Sequence, residues 1–285
     1  MARSTKATRE RYMAMLETPE WLARQVVDLQ PDPFRRLRAD LLQMRDALAR
    51  ERGPGAATVF GQGVASLFTW AVERGRMAVS PLMRLRALPG GHIPAWTAAD
   101  AQRAMEKWPE FVRRAVVLNF HIGQRRGDLT QLRWDAYEVG AGIISLQPEK
   151  TRRRREASGK PPLRLVVPSA LAWELRRWRE EAPAAEFILT RADGRPWTRS
   201  ALSNAVRKQL LAEGWPTKRG LHGLRKLLAQ TLKEAGASDG EIGAAQGWDS
   251  ARTIRLYTSG ADQETMARSA IARLEKAVAK NGKAE

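Results

Sequence analysis

The chain has 285 residues, 49 Lys+Arg against 31 Asp+Glu, a formal net charge of +18 and no cysteine. The length suffices for a buried core, and 43% hydrophobic residues exclude wholesale disorder. The missing cysteines exclude a disulfide scaffold, Cys-ligated zinc, iron–sulfur ligation and thiol catalysis; the charge makes a polyanion the default partner.

Residues 1–16 are polar and basic and read as a flexible N-terminal tail. A helix is expected from Glu20 towards Leu29, stopping before Pro31-Asp32-Pro33, where two prolines disfavour helix. Phe34, Leu37, Leu41, Met44 and Leu48 then follow the spacing of one helix face, and Gly53-Pro54-Gly55 breaks it. Phe60, Val64, Leu67, Phe68 and Ala71 mark a second amphipathic helix ending near Gly75, and Ser80-Pro81 opens a short third one. Residues 17–88 thus form a small helical unit, and 89–96, Pro/Gly-rich, a linker.

Thr97-x-x-Asp100 starts a helix at the head of a second unit, 97–285. An apolar helix covers roughly Phe111 to Phe120, and another is expected from the Gly123–Leu129 segment to Trp134. Gly142–Leu146 and Leu163–Pro168 read as two strands of a long hairpin, with Lys150 at the end of the first and a basic connection between them. From Ser169 onward the pattern is helical, including a last helix from Glu264 to Ala279 with Met266, Ala270, Leu274 and Val278 on one face. The fold class is mainly α with a small β-hairpin, in two domains.

Several polar residues stand out. His222 and Arg225, three apart, share a helix face; they are either plain polar surface or a pair able to hold an anion. Arg125 is either the edge of a helix start or a second guanidinium for the same anion. Lys150 is a solvated strand-end lysine unless something recruits it. The run Arg152, Arg153, Arg154, Arg155, with Lys160, fits a loop that tracks phosphates. Trp248 ordinarily belongs to a core and Tyr257 to an interface. The three histidines (His92, His121, His222) are too scattered for an obvious metal site, so no metal and no cofactor are expected.

In order, Gly-Gln-Arg125-Arg-Gly-Asp-Leu, Lys150-Thr151, His222-Gly-Leu-Arg225, Gln-Gly-Trp248 and the late Tyr257 resemble the tyrosine recombinase, or phage integrase, family. The resemblance covers about 97–270 and extends loosely to the helical unit, which resembles the family's core-site-binding domain. Departures are Trp248 where the family more often has His, Asp128 where it has Glu, and a longer hairpin connection. Lys160 is a second candidate for the catalytic lysine, although Lys150 matches the family's Lys-Thr pattern better.

The resemblance implies a site-specific recombinase that cleaves and rejoins double-stranded DNA at core sites through a 3′-phosphotyrosyl intermediate. Tyr257 is then the nucleophile, Arg125 and Arg225 the phosphate clamp, His222 the base, Lys150 the acid and Trp248 an N–H donor. It also implies a homo-tetramer on DNA, with the last helix packing in cis or docking on a neighbour, and accessory DNA-bending proteins as possible partners. No membrane partner is expected, and the location implied is cytoplasmic and nucleoid-associated. The competing readings are a type IB topoisomerase and a non-catalytic DNA-binding regulator.

Overall fold

The computed structural model describes residues 7, 10–18, 31–83, 85, 88, 89 and 93–281. The helix expected over 20–29, part of the linker and His92 lie outside the described residues. The chain divides into two compact units, Met1–His92 and Ile93–Glu285.

The first unit is built on α1 (Pro31–Arg52) and α2 (Pro54–Glu73). Prolines 31 and 33 open α1 instead of preceding it; the first turn of a helix has no intrahelical partner for its N–H groups, so proline costs little there. The break between the helices is Gly53 alone, at φ +86°, with Pro54 and Gly55 already helical. Leu41, Leu48, Phe60, Val64 and Phe68 form one core with Met77 and Leu82. Leu67, expected on that face, is 43% exposed. Residues 10–16 were expected to be a frayed tail. They are helical, with Ala14–Leu16 a 3-10 turn, because Tyr12, Met13, Met15 and Leu16 pack on this core. The helix expected after Ser80 is only a turn: Arg38 takes the carbonyls of Pro81 and Met83, acceptors that a continuing helix would use.

The second unit begins with α3 (Ala98–Lys107), capped by the Thr97 hydroxyl, which accepts from the Asp100 N–H at 3.0 Å. Next comes α4 (Glu110–Ile122), buried at Val112, Ala115, Val116, Val117, Leu118, Asn119 and Ile122 and ended by Gly123 in the left-handed region. The helix expected to reach Trp134 is only four residues long, α5 (Arg126–Leu129). The chain then extends, because Leu132, Arg133 and Trp134 pair with residues 186–188: Ile188 N–H donates to Leu132 O and Trp134 N–H to Glu186 O.

Three antiparallel strands follow in the order β1 (Tyr137–Glu138), β2 (Ile143–Leu146) and β3 (Leu163–Val166). Ile144 pairs with both Tyr137 and Leu165, so Ile144, Leu146 and Leu165 face the core while Glu138, Ser145 and Arg164 link across the outer face. The connection between β2 and β3, expected as a basic loop, contains α6 (Arg152–Ala157). Helices α7 (Ser169–Glu181) and α8 (Arg199–Ala212) are separated by an irregular stretch that pairs with Arg133 through Phe187 and with itself through a bridge from Thr190 to Pro196. The remaining helices are α9 (Gly220–Glu234), α10 (Asp239–Gln246), α11 (Ala251–Thr258) and α12 (Gln263–Asn281). Among the described residues no helix is long and apolar enough to cross a membrane.

The start of α9 is pinned from two sides. The Trp96 indole N–H donates to Gly220 O at 2.8 Å, and the Asn119 amide donates to Leu221 O at 2.6 Å from within α4. Gly223 lets Trp96 lie against the helix: a Cβ there would sit 2.7 Å from Pro94 O and 2.6 Å from the Trp96 ring. Gly223→Ala is expected to destabilise this unit by about 1–3 kcal/mol through overpacking, which thermal unfolding reads as a Tm lower by roughly 2–4 °C per kcal/mol.

Candidate active site

Five segments converge at the C-terminal side of α4. Arg125 is the N-cap residue of α5, just past the Gly123 turn. Helix α9 carries His222 and Arg225 one turn apart on one face. Helix α10 ends at Gly247, φ +70°, which turns the chain to present Trp248. Ser250 caps α11 by accepting from the Thr253 N–H, and Tyr257 lies on that helix. Lys150 comes from the β2–β3 connection, in a turn beyond Leu146 and not at the strand end where it was expected, because pairing stops at Leu146–Leu163.

The Tyr257 hydroxyl lies 3.1 Å from His222 Nε2. Trp248 packs on the Tyr257 ring at 4.5 Å between centroids, and the Arg225 guanidinium lies 4.8 Å from the Trp248 ring centre and 5.9 Å from that of Tyr257. Arg225 is only 1% exposed. Its two terminal nitrogens make long hydrogen bonds of 3.5 Å, to Gln124 Oε1 and to Gln246 O, and its Nε has no partner. The buried Trp248 indole N–H is likewise without an acceptor. These donors leave capacity for an oxygen-rich anion.

The electrostatics follow. Burial, then the charge of Arg125, pulls Arg225 down to about 10. Burial, then the charges of Arg225, Lys226, Arg125 and Lys150, pulls His222 down to about 4. The imidazole is therefore neutral at pH 7 and able to accept the phenolic proton. Direct contacts bring together His222, Arg225, Trp248 and Tyr257, and the charges of Arg125 and Lys150 act on His222 from their own segments.

The second candidate lysine, Lys160, pairs with Asp249, the neighbour of Trp248, at 3.0 Å. Of the arginine run, Arg152, Arg153 and Arg154 are exposed. Arg155 is 7% exposed and donates to Pro161 O at 2.6 Å, so it belongs to the fold of the connection and does not offer the surface cation expected of it. Three polar residues under the site support it without a signature of their own in the sequence. Gln124 donates to Ile122 O and Gln246 O besides accepting from Arg225. Gln246 is fully buried. Asp128, whose carboxyl burial pushes up, accepts from the Glu149 N–H at 2.9 Å and so holds the start of the Lys150 turn. The available signal was position: each adjoins or lies close to Arg125 or Trp248.

A family model described as the phage integrase family matches residues 98–264. The chain belongs to that family, the tyrosine recombinases, and is a site-specific enzyme of DNA strand transfer. The tyrosine recombinase XerC of Mycobacterium tuberculosis (strain ATCC 25177 / H37Ra) is 28% identical over 233 residues, 75% of this chain and 77% of the relative. A lambda integrase dimer bound to a COC′ core site shares 18% identity at a TM-score of 0.72, covering 92% of this chain and 74% of that one. A lambda integrase tetramer bound to a Holliday junction shares 18% identity at a TM-score of 0.71, with the same coverage. Both structural matches are likenesses of fold.

The low proton affinity of His222 is measurable. In the free protein its imidazole is expected to titrate near 4 instead of 6.5, read by NMR of the ring protons. Replacing Arg225 by Gln removes the second-largest cause after burial and moves the midpoint up. Because the unfolded chain binds this proton at higher pH than the folded one, the stability tied to neutral His222 is complete above about 6.5. It is lost as pH falls from there towards 4.

Proposed function

We propose that the chain cleaves one strand of duplex DNA at a core site with Tyr257 and rejoins it to a partner strand. The observation that carries this reading is the Tyr257 hydroxyl, hydrogen-bonded to a neutral His222 beside a buried, under-bonded Arg225. A phenol of pKa about 10 is almost wholly protonated at pH 7 and needs a base. Tyr257 passes its proton to His222 Nε2 as its oxygen bonds to phosphorus. The P–O5′ bond breaks, and its electron pair leaves with O5′, which takes a proton from the Lys150 ammonium. Arg125 and Arg225 hold the non-bridging oxygens, whose charge grows in the transition state, and Trp248 donates its indole N–H to one of them. Side-chain cations supply this charge, so the step uses no metal or other cofactor. The 3′-phosphotyrosyl ester keeps the bond energy, and an incoming 5′-hydroxyl reverses the sequence with neutral Lys150 taking the proton.

Residues 17–88 are the core-site-binding domain in this reading, and residues 97–285 the catalytic domain. Arg152, Arg153 and Arg154 contact flanking phosphates. The active assembly is a tetramer on two DNA sites, for which the lambda integrase tetramer on its junction is the precedent. The exposed Ile271 and Leu274 of α12 are available for a neighbouring protomer. The protein works on DNA of the cytoplasm and nucleoid, with accessory DNA-bending proteins as further partners.

Tyr257→Phe is expected to keep DNA binding and abolish covalent capture of a nicked substrate. An adduct persisting in the variant places the nucleophile elsewhere, with Tyr137 or Tyr12 next in line. Trp248→Ala is expected to slow cleavage of the same substrate roughly a hundredfold, the cost of losing one transition-state donor, whereas Trp248→His keeps most of the rate because imidazole supplies an N–H in place of the indole.

A further inference from the structure

Lys150 is exposed and makes no hydrogen bond or ion pair among the described residues, so its ammonium is located by the backbone that carries it. That backbone is tied at both ends. At its start the Glu149 N–H is held by Asp128. At its end Leu163 rests on Gly247, where a Cβ would come within 2.2 Å of the leucine side chain. Between these ties the connection is one folded piece: α6, closed by Lys160 N–H donating to Arg155 O and by the Arg155 guanidinium on Pro161 O.

Beyond the Leu163–Gly247 contact, this piece does not meet the segment around Trp248 through filled apolar packing. An open cleft of about 260 Å³ lies there, lined by Arg155, Lys160, Leu163, Gly247, Trp248 and Asp249. The rim is bridged by charge. Asp249 receives Lys160 Nζ at 3.0 Å and Arg154 at 3.8 Å. The Lys160 hydrogen bond holds the Asp249 carboxyl below its usual range, so it is ionised at neutral pH. Asp249 directly follows Trp248 and lies two residues before α11, the helix of Tyr257.

We infer that Asp249 is a positioning residue: through Lys160 and Arg154 it closes the Lys150 connection onto the nucleophile segment and so sets where the Lys150 ammonium stands relative to the leaving oxygen. This rests on the assignment of Lys150 as the acid. It gives Lys160 a task distinct from catalysis. Because the pair is exposed, the effect is modest, about fivefold in rate.

The test separates proton donation from everything else. Cleavage is measured on a nicked duplex with an ordinary phosphodiester and on one whose bridging 5′ oxygen is sulfur. A thiolate, with its pKa about 8.5, departs without a proton. On the oxygen substrate, Asp249→Asn and Lys160→Gln are each expected to be about fivefold slow, the double variant no slower than either alone, and Lys150→Ala slower by about a hundredfold or more. On the sulfur substrate all four regain the unsubstituted protein's rate. Asp249→Asn at full rate on oxygen, or equally slow on both substrates while Lys150→Ala is restored, overturns the positioning role. Lys150→Ala slow on both substrates removes the acid assignment, and the inference falls with it.

Discussion

A guanidinium held out of water with too few partners is the constraint on which the second unit is built. Burying a cation is costly unless hydrogen bonds and opposite charge replace the water. Arg225 has two long hydrogen bonds, an unpartnered Nε, the faces of Trp248 and Tyr257, and the field of buried Asp128. It stays in place because α9 is fastened independently, through Trp96 to Gly220 O and through Asn119 to Leu221 O. The scaffold supplies rigidity so that this side chain can remain incompletely satisfied.

The same crowding of cations sets the behaviour of His222, the proposed base. Arg225, Arg125 and Lys150 depress His222 while the site is empty. A phosphodiester bound there, as proposed, would bring a negative charge among them, offset their field and raise the proton affinity of the imidazole towards neutrality. A base gains catalytic value as its pKa approaches the working pH. Binding and activation are then one electrostatic event, and the Tyr257–His222 hydrogen bond is already formed when it occurs.

Much of this was legible from spacing. The one-turn interval of His222 and Arg225, the Thr97 cap, the two longer strands and the helices with strong apolar periods all have local causes, and the structure contains them. What escaped has non-local causes. Strand β1 is two residues long and exists only because Ile143 and Ile144 offer it an edge. Four consecutive arginines suggest a solvated loop, yet 152–157 is helical, with Arg155 folded onto Pro161 O and Arg154 near a carboxylate 95 positions further on, Asp249. Gln124 and Gln246 look like ordinary polar residues until the fold buries them around a cation. The basic lead before residue 17 was misjudged because Tyr12, Met13, Met15 and Leu16 are too few to announce a helix, though enough to cover an existing core.

The order of the segments along the chain also matters during synthesis. Arg125, Lys150, His222 and Arg225 all leave the ribosome before α11, and Tyr257, the proposed nucleophile, lies on that helix. On the proposed roles, a growing or prematurely released chain carries the cationic residues before it owns a nucleophile. In the proposed mechanism the ability to break DNA therefore waits for α11, so copies that stop before that helix lack the group that attacks the phosphate.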